Sequence, residues 1–360
     1  MVETSEPIRF GIVGAGARAA HYLRIAAAAP ERFQVSGVVA RSDERGSGVR
    51  QRFRVSTHGS LDDLLSRESQ QFVVVAVRPA GGPAILRELV AAGVPALAET
   101  PAAWDLDDLD DLCELERTGA RLQVAEQTFL RPVHAARLRV VGSGRLGRVS
   151  QAHVSATHGY HGIAMLRRYL DVGSEEVTIE TRQVTSPLAV VPRAMGIPGE
   201  PTAQGTVASR RVVALLWFGE RLGIHDFAID QYFSQIRSTY VHVLGERGEL
   251  RDDVVRYLVD TTAMVARLDR VDAGTGDQLD GNHHVGYVMA GEWVTRNPFA
   301  PARMSDDEIA SATSLVGMDR FLRTGVPVYS MAQAATDRYM DIMLERALAT
   351  GKAVHAPVRY

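Results

Sequence analysis

Three small residues at fixed spacing near the amino terminus are suited to hold a nucleotide phosphate. Gly14, Gly16 and Ala19 form a G-x-G-x-x-A pattern that directly follows an apolar run and opens a helical pattern. Gly14 permits a tight turn, Gly16 lets the backbone approach a pyrophosphate, and Ala19 lets the helix pack closely on the strand. The amino end of that helix then faces the anion with free backbone amides. The pattern predicts a dinucleotide-binding loop rather than a merely structural turn.

The residues about 25 positions further on bear on which dinucleotide binds. A Rossmann domain that prefers NAD ends its second strand with an acid that binds the ribose hydroxyls. Here Arg41 and Ser42 stand at that place, and both can hydrogen-bond a 2′-phosphate, which an acid would repel. The sequence therefore favours NADP. NAD stays open, because a shift of register would bring Asp43 to the ribose.

A histidine-rich turn supplies groups that could move a proton. His158, Tyr160 and His161 stand together with Gly159 and Gly162 at the start of a helical pattern. Hydride transfer to or from a carbinol carbon needs a group that handles the hydroxyl proton, and imidazole titrates in the useful range. His161 is therefore the leading catalytic candidate, with His158 and Tyr160 as further contacts to substrate. The alternative is two partly exposed histidines at an ordinary helix entry.

Four further residues are candidates for binding the substrate. Arg167 could bind a carboxylate or phosphate, although a surface arginine is the simpler interpretation. Asp230 and Tyr232 are predicted to lie on one strand, where alternation sends both to the same face. His283 lies in a Gly-, Asp- and Asn-rich segment, residues 273–301, which is predicted to be a long loop. Because adjacent histidines of an extended chain point in opposite directions, we predict no metal site there.

Composition excludes several classes of protein. The chain has 360 residues, 46% hydrophobic and 23% charged, which is typical of folded domains. Its net charge of −3 gives no electrostatic attraction for nucleic acid, and its single cysteine allows no internal disulfide. Apolar runs are shorter than the ~18 residues of a membrane span, and the first residues lack the features of a signal peptide. We therefore expect a cytoplasmic protein that binds neither nucleic acid nor a membrane.

Element patterns predict two domains. Strand and helix patterns alternate through the first third, which predicts a doubly wound parallel sheet of the α/β Rossmann type over residues 1–128. Mostly strand-like patterns follow the Arg131-Pro132 helix start, which predicts an α+β domain with a large, mostly antiparallel sheet over residues 129–360. Val213, Leu215 and Trp217 alternate along one of these strands. We expect the resulting apolar face to form a homodimer or homotetramer.

Motifs along nearly the whole chain resemble the Gfo/Idh/MocA oxidoreductase family. They are the glycine loop, the segment Ala-Ala-Gly-Val-Pro-Ala-Leu-Ala-Glu-Thr-Pro that ends at Pro101, and the Arg131-Pro132 helix followed by Gly-Arg-Leu-Gly147. The resemblance implies a Rossmann domain, a sheet domain that mediates oligomerisation, and hydride transfer between NAD(P) and a sugar or cyclitol. It also implies that Arg78, Pro79 and Glu99 lie beside the cofactor.

The chain departs from the family pattern at its catalytic motifs. The family's Glu-Lys-Pro signature is Glu99-Thr100-Pro101 here, so Thr100 stands where the family has the lysine that contacts the reacting oxygen. Thr100 can donate a hydrogen bond, but it supplies no positive charge and no base near neutral pH. The family's Asp-x-x-x-His-x-x-Asp motif keeps only its histidine, as His161. We predict an NAD(P)-dependent oxidoreductase with a non-standard site.

Two other functions stay open on these departures. One is a redox-neutral enzyme of the epimerase, lyase or glycosidase type that retains a tightly bound nicotinamide. The other is a cofactor-binding regulator without turnover, which the absence of the lysine allows.

Overall fold

The amino-terminal part of the computed structural model, which describes residues 6–190, 204–274 and 281–360, is a parallel sheet. Its six strands follow the order β3-β2-β1-β4-β5-β6, which confirms the predicted doubly wound sheet. The elements are β1 (Ile8–Val13), α1 (Ala17–Ala28), β2 (Phe33–Val39), α2 (Asp43–Phe53), β3 (Thr57–His58), α3 (Leu61–Arg67), β4 (Phe72–Val75), α4 (Gly82–Ala91), β5 (Ala96–Ala98), α5 (Leu106–Arg117) and β6 (Leu122–Val124). One apolar cluster packs α1 and α2 on one face, and another packs α3, α4 and α5 on the other.

Local sequence explains why these elements begin where they do. All four residues of β4 are buried, as expected for a central strand covered on both faces. The Ser60 hydroxyl caps α3 by accepting a hydrogen bond from the backbone N–H of Asp63 at 3.1 Å. Asp105 caps α5 in the same way through the N–H of Asp108 at 3.0 Å.

The rest of the chain builds a second sheet, with 11 strands in the described residues, in the order β16-β15-β14-β13-β12-β11-β7-β10-β9-β8-β17. Only the β7–β10 pair is parallel in that described part, so the predicted, mostly antiparallel sheet is confirmed. The elements are α6 (Pro132–Gly142), β7 (Val149–Ser155), α7 (Gly159–Leu170), β8 (Val177–Val190), β9 (Gly205–Phe218), β10 (Arg221–Phe227), β11 (Tyr240–Gly245), β12 (Gly248–Arg251), β13 (Val254–Val259), β14 (Thr262–Ala273), β15 (His283–Met289), β16 (Glu292–Arg296), α8 (Asp306–Thr324), α9 (Met331–Thr350) and β17 (Val354–Ala356).

Helices α7 and α9 pack on one face of this second sheet. On β9, Ala214 and Leu216 point into that core and are fully buried. The alternate residues Val213, Leu215 and Trp217 lie on the opposite face, where Trp217 is 38% exposed. We call the face that carries these three residues the open sheet face. It is apolar along β9, as the alternation predicted.

Two predictions of local structure were wrong. Residues 273–301 are not one long loop, because their described residues form β15 and β16, paired as an antiparallel hairpin. Asp230 and Tyr232 are not on a strand, because β10 ends at Phe227 and residues Ile229–Tyr232 form one turn of 3₁₀-helix. Residues 275–280 of the predicted loop lie outside the described residues, as do residues 191–203.

Helix α8 returns from the second part of the chain to the Rossmann sheet. Its residues Ile309, Leu315 and Met318 belong to the same apolar cluster as α1 and β1. Capping boxes start α8 and α9, at Ser305 and Ser330. The division at residue 128 stays a prediction, and the amino-terminal core also contains residues from the far end of the chain.

Candidate active site

The predicted cofactor residues lie together at the carboxyl-terminal edge of the parallel sheet. Gly14 follows β1, Arg41 follows β2, and Arg78 follows β4, the strands that meet where the sheet order reverses. Gly14 has φ +121°, and a Cβ on it would lie 2.3 Å from the carbonyl oxygen of Ala76. Only glycine fits this turn, which brings the chain from β1 into α1.

The start of α1 fits a pyrophosphate. Gly16 is its N-cap, and no side chain among the described residues caps the helix start, so its first backbone amides are available to an anion. A Cβ on Gly16 would meet no described heavy atom within 4 Å. The packing of the protein therefore does not require glycine at this position. The glycine leaves the backbone open to close approach by a ligand. Ala19 is fully buried, as predicted for tight helix packing.

Arg41 and Ser42 stand where β2 leads into α2. Arg41 is exposed, and its guanidinium lies 3.5 Å from the position that a Cβ on Gly81 would take. Ser42 is the N-cap of α2, where its hydroxyl oxygen accepts from the N–H of Arg45 at 3.4 Å and keeps its own proton to donate. The Asp43 carboxylate is paired with Arg50 at 3.0 Å.

Of the residues implied by the family resemblance, Arg78 and Pro79 lie at the start of the 3₁₀-helix Pro79–Gly81, beside Arg41. Glu99 stays a predicted cofactor neighbour, and its carboxylate has two partners within the protein. It accepts the Tyr22 hydroxyl at 2.5 Å and pairs with the Arg18 guanidinium at 2.8 Å.

The centre of the site is a hydrogen-bonded pair of His161 and Glu126. His161 lies in the first turn of α7, and Glu126 lies two residues after β6. The Nδ1 atom of His161 is 2.5 Å from Oε2 of Glu126, and the other carboxylate oxygen accepts the N–H of Thr128 at 2.9 Å. With Nδ1 bonded to the carboxylate, Nε2 is the nitrogen that can exchange a proton with a ligand.

Both members of this pair are buried, and their contacts determine whether Glu126 is charged. Glu126 is 1% exposed and His161 8% exposed. Burial alone would raise the pKa of Glu126, but the adjacent imidazole and the Thr128 N–H outweigh burial and hold that pKa below its ordinary value. Glu126 is therefore a carboxylate at neutral pH, and it favours an imidazolium when His161 takes up a proton.

Glu126 was missed by the sequence reasoning. Both acids of the family's histidine motif are absent from α7, and the structure supplies an acid from another element instead. The available signal was its position directly after a buried parallel strand, since ligands of open α/β sheets bind outside the carboxyl ends of the strands.

Tyr160 and Thr100 complete the buried side of the site. Thr100 follows β5 and lies close to Tyr160. Both residues line one small cavity together with Glu126. The Tyr160 ring lies 4.3 Å from the His161 ring, centroid to centroid. Burial, together with the nearby Glu126 charge, raises the pKa of Tyr160, so its hydroxyl stays protonated and acts as a hydrogen-bonding group.

His158 and Tyr232 form the more exposed side. The Tyr232 hydroxyl is 2.8 Å from Nδ1 of His158 and 2.8 Å from the Thr157 hydroxyl, and it accepts the His158 N–H at 3.1 Å. The His158 and His161 rings are 5.1 Å apart. Burial and the neighbouring imidazoles lower the pKa of His158 to about 4. His158 is therefore neutral at physiological pH and not a competing proton carrier.

The two glycines of this turn serve packing within the protein rather than approach of a substrate. A Cβ on Gly162 would lie 2.3 Å from the His225 ring, and that ring's Nε2 is 2.9 Å from the carbonyl oxygen of Thr157. Gly159 has φ +47°, and a Cβ there would lie 2.9 Å from the Asp341 carboxylate. The turn thus packs against His225 of β10 on one side and Asp341 of α9 on the other.

Three predicted substrate residues are not brought to this cluster in the way the sequence suggested. Arg167 is buried and pairs with Asp337 of α9 at 2.5 Å, so it holds two helices together and is not free for a substrate. His283 lies on β15, five strands along the sheet order from β7, and contacts the carbonyl oxygen of Gly281. Asp230 is in the same 3₁₀ turn as Tyr232, but only Tyr232 touches the histidine turn.

Within residues 6–190, 204–274 and 281–360, no cluster of His, Cys, Asp and Glu side chains is arranged to hold a metal ion. No helix in that same part of the chain has the length and apolar character needed to cross a membrane.

Comparison with known proteins extends the resemblance seen in the sequence. Residues 8–126 match the family model described as the oxidoreductase family with an NAD-binding Rossmann fold. The amino-terminal domain is thus similar to the Rossmann domain of the Gfo/Idh/MocA oxidoreductases, the family that the sequence motifs resemble.

Similar individual proteins extend the likeness of fold. An uncharacterised oxidoreductase of Rhizobium meliloti is 27% identical over 144 residues, which are 39% of this chain and only 43% of that relative. An oxidoreductase from Agrobacterium radiobacter, solved with NAD+, L-tartaric acid and magnesium, has a TM-score of 0.70 at 15% identity, over 97% of this chain and 98% of the other. The WlbA dehydrogenase from Chromobacterium violaceum, solved with NADH and UDP-GlcNAcA, has a TM-score of 0.62 at 16% identity, over 99% and 98%.

Proposed function

We propose that this protein is an NAD(P)-dependent oxidoreductase that transfers a hydride between nicotinamide and a hydroxyl or carbonyl carbon of a sugar, a cyclitol or a similarly polar small molecule. The observation that carries the proposal is the buried Glu126–His161 pair, 2.5 Å apart, at the same sheet edge as the phosphate-binding loop. A proton carrier beside a dinucleotide cleft is what alcohol–carbonyl chemistry requires. Such a pair has no evident use in a protein that only binds the cofactor.

The residues divide the work as follows. A bound nicotinamide accepts or supplies the hydride. His161 takes the hydroxyl proton at Nε2 during oxidation and returns it during reduction, and Glu126 stabilises the imidazolium that forms. Thr100 and Tyr160 hold the substrate oxygen by hydrogen bonds, and Tyr232 orients His158 toward a substrate hydroxyl. Because Thr100 stands where the family has its lysine, the developing charge on oxygen is met by neutral donors and by the imidazolium.

The cofactor in this proposal is NADP. Arg41 is exposed at the end of β2, and its guanidinium lies beside Gly81, where it can pair with a 2′-phosphate. The Asp43 carboxylate, which would favour NAD, is instead paired with Arg50 at 3.0 Å. NAD remains the competing cofactor, since the Agrobacterium and Chromobacterium structures were solved with NAD+ and NADH.

The substrate in this proposal is a polyhydroxylated compound. The exposed side of the site presents an imidazole and a phenol hydroxyl, His158 and Tyr232, which suit sugar hydroxyls. The solved neighbours carry a hydroxy acid in one case and a nucleotide sugar acid in the other, and both ligands have adjacent hydroxyl groups.

A redox-neutral enzyme with a retained nicotinamide is the second candidate, and Thr100 favours it. A neutral threonine at the position of the family lysine gives less stabilisation to an alkoxide, so net turnover of free cofactor would be slow. A dinucleotide that copurifies with the protein and does not exchange would identify this case.

Assembly of the chain through the open sheet face is also proposed. Val213, Leu215 and Trp217 give that face an apolar strip, and an exposed apolar patch of this kind is typical of an interface between subunits.

The test is a panel of sugars, cyclitols and hydroxy acids with NAD+ and NADP+, followed at 340 nm. With any substrate that turns over, His161→Ala should lower kcat by ~10² to 10⁴ and leave dinucleotide affinity unchanged. Thr100→Ala should cost about tenfold, the equivalent of one hydrogen bond. The exposed His355→Ala serves as the matched control. Full activity of His161→Ala would remove the proposed role of the pair.

A further inference from the structure

We infer that Asp341 of α9, together with Arg338, positions the catalytic turn by capping the start of α7 and holding the Thr100 loop against it. This inference rests on the proposed function, because the turn that it positions carries His161. Asp341 and Arg338 are 6% and 7% exposed, and neither carries a pattern that singles it out in the sequence.

The first step of the argument is the contact between Asp341 and α7. The first amides of a helix have no partners within the helix and need other acceptors. His158 is the N-cap of α7, but its side chain caps no amide. The Asp341 carboxylate faces that helix start from another helix, against Gly159, where the backbone N–H of Tyr160 acts to lower the pKa of the carboxyl. This carboxylate therefore fixes the backbone between Tyr160 and His161.

Gly159 allows this contact. A Cβ at position 159 would lie 2.9 and 3.0 Å from the two carboxylate oxygens of Asp341, and the backbone there has φ +47°. Any larger residue would push the carboxylate away from the helix start. The glycine and the acid are thus one arrangement, contributed by α7 and α9.

The second step is the contact between Arg338 and the loop that carries Thr100. Arg338 donates to Asp341 at 2.6 Å and to the backbone carbonyl of Trp104 at 3.2 Å. Its guanidinium also lies 4.8 Å from the centre of the Trp104 ring. Trp104 is four residues after Thr100, which lines the same small cavity as Tyr160. One ion pair on α9 therefore holds both segments whose side chains meet in the site.

A positioning role explains why an acid is buried here at a cost. Burial, with the nearby Glu345 carboxylate, raises the pKa of Asp341 to about 6 despite the Arg338 partner. The ionised carboxylate is thus poorly solvated in the folded protein, and a residue kept only for stability would not need this charge.

The experiment compares Asp341→Ala and Asp341→Asn in the full chain by hydrogen–deuterium exchange at pH 7.5, with Arg346→Ala, an exposed position on the same helix, as the matched control. Loss of a helix cap typically speeds exchange of the amides that it protects by about fivefold. Asp341→Ala should show this in peptides covering residues 158–165 and not in the phosphate loop. Asp341→Asn should restore most of the protection, since its amide oxygen can accept from Tyr160.

These measurements need no substrate, so they separate this inference from the proposed function. Where a substrate is known, Asp341→Ala should lower kcat severalfold with KM and dinucleotide affinity nearly unchanged, and Asp341→Asn should recover most of the rate. Unchanged exchange in Asp341→Ala would overturn the inference. So would an Asp341→Asn variant as unprotected as Asp341→Ala, because a bulk packing role would then explain both.

Discussion

Neutralising Glu126 is the most direct test of how this site handles a proton. Glu126→Gln keeps the shape of the side chain and can keep one hydrogen bond to His161, but it removes the negative charge 2.5 Å from Nδ1. Because Glu126 is 1% exposed, water cannot replace that charge. Breaking a buried pair by removing one charge typically costs about 3 to 5 kcal/mol.

That energy acts mainly on the state in which His161 is an imidazolium. Each 1.36 kcal/mol is a factor of ten in rate, so a penalty of about 3 to 5 kcal/mol in the transition state predicts a loss of ~10² to 10⁴ in kcat. Dinucleotide affinity should stay the same, because the phosphate loop follows β1 and not β6.

Steady-state kinetics with the best substrate of the panel, together with fluorescence titration of NADPH, measure both quantities. Glu249→Gln is the matched control, because Glu249 pairs with His242 at 2.9 Å on the second sheet, away from the proposed site. Its kcat should equal that of the wild type. A Glu126→Gln enzyme with wild-type kcat would refute the reasoning, because the carboxylate would then contribute nothing to proton transfer.

Four further predictions address the cofactor cleft, the ionisable groups and assembly. Arg41→Ala should weaken NADPH binding about 10- to 100-fold and NADH binding little, from a charge-assisted hydrogen bond of ~1.5 to 3 kcal/mol, with the exposed Arg45→Ala as control; equal losses for both dinucleotides would contradict the NADP assignment. Gly16→Ala should weaken both dinucleotides without lowering the melting temperature, whereas Gly14→Ala should lower it, because only the Cβ at 14 collides with Ala76. The unfolding free energy of Asp341→Asn relative to wild type should rise by up to ~3 kcal/mol between pH 4 and pH 7.5 in urea titrations. The pKa of Asp341 is raised from 3.8 to about 6, so the wild type loses stability as its carboxyl ionises, whereas the amide does not titrate. A difference between the two proteins that does not change with pH would contradict the assignment. Light scattering should show at least a dimer that Leu215→Arg dissociates, and a wild-type monomer would contradict the role of the open sheet face.

The sequence predicted the fold well because the relevant signals are local. The glycine loop, the continuous apolar run at Phe72–Val75 and the serine caps each depend on a few neighbouring residues. The same reasoning failed for residues 273–301, where polar composition was taken to indicate a loop. Strands β15 and β16 form there because they pair with each other and with β14, and such distant pairing leaves little trace in composition.

The candidate site was only partly predictable, because its key contacts join residues far apart in the chain. His161 was found from its residue type and family position, but its acid partner stands 35 residues earlier, and the cap of its helix comes from α9. Arg167 looked like a binding group because arginine binds anions, yet its charge is used on Asp337 inside the protein. No spacing rule connects pairs of this kind.

The structure suggests how Thr100 and His161 can share one site. Glu126 supplies a negative charge in the described cluster, and a positive charge arises there when His161 takes up a proton. Tyr160 and Thr100 line the same small cavity and can supply hydrogen bonds. In the proposed reaction a single imidazole then serves as both the proton carrier and the positive charge beside the reacting oxygen. Because that charge exists only while the imidazole holds its proton, it depends on the Glu126 carboxylate, 2.5 Å from Nδ1.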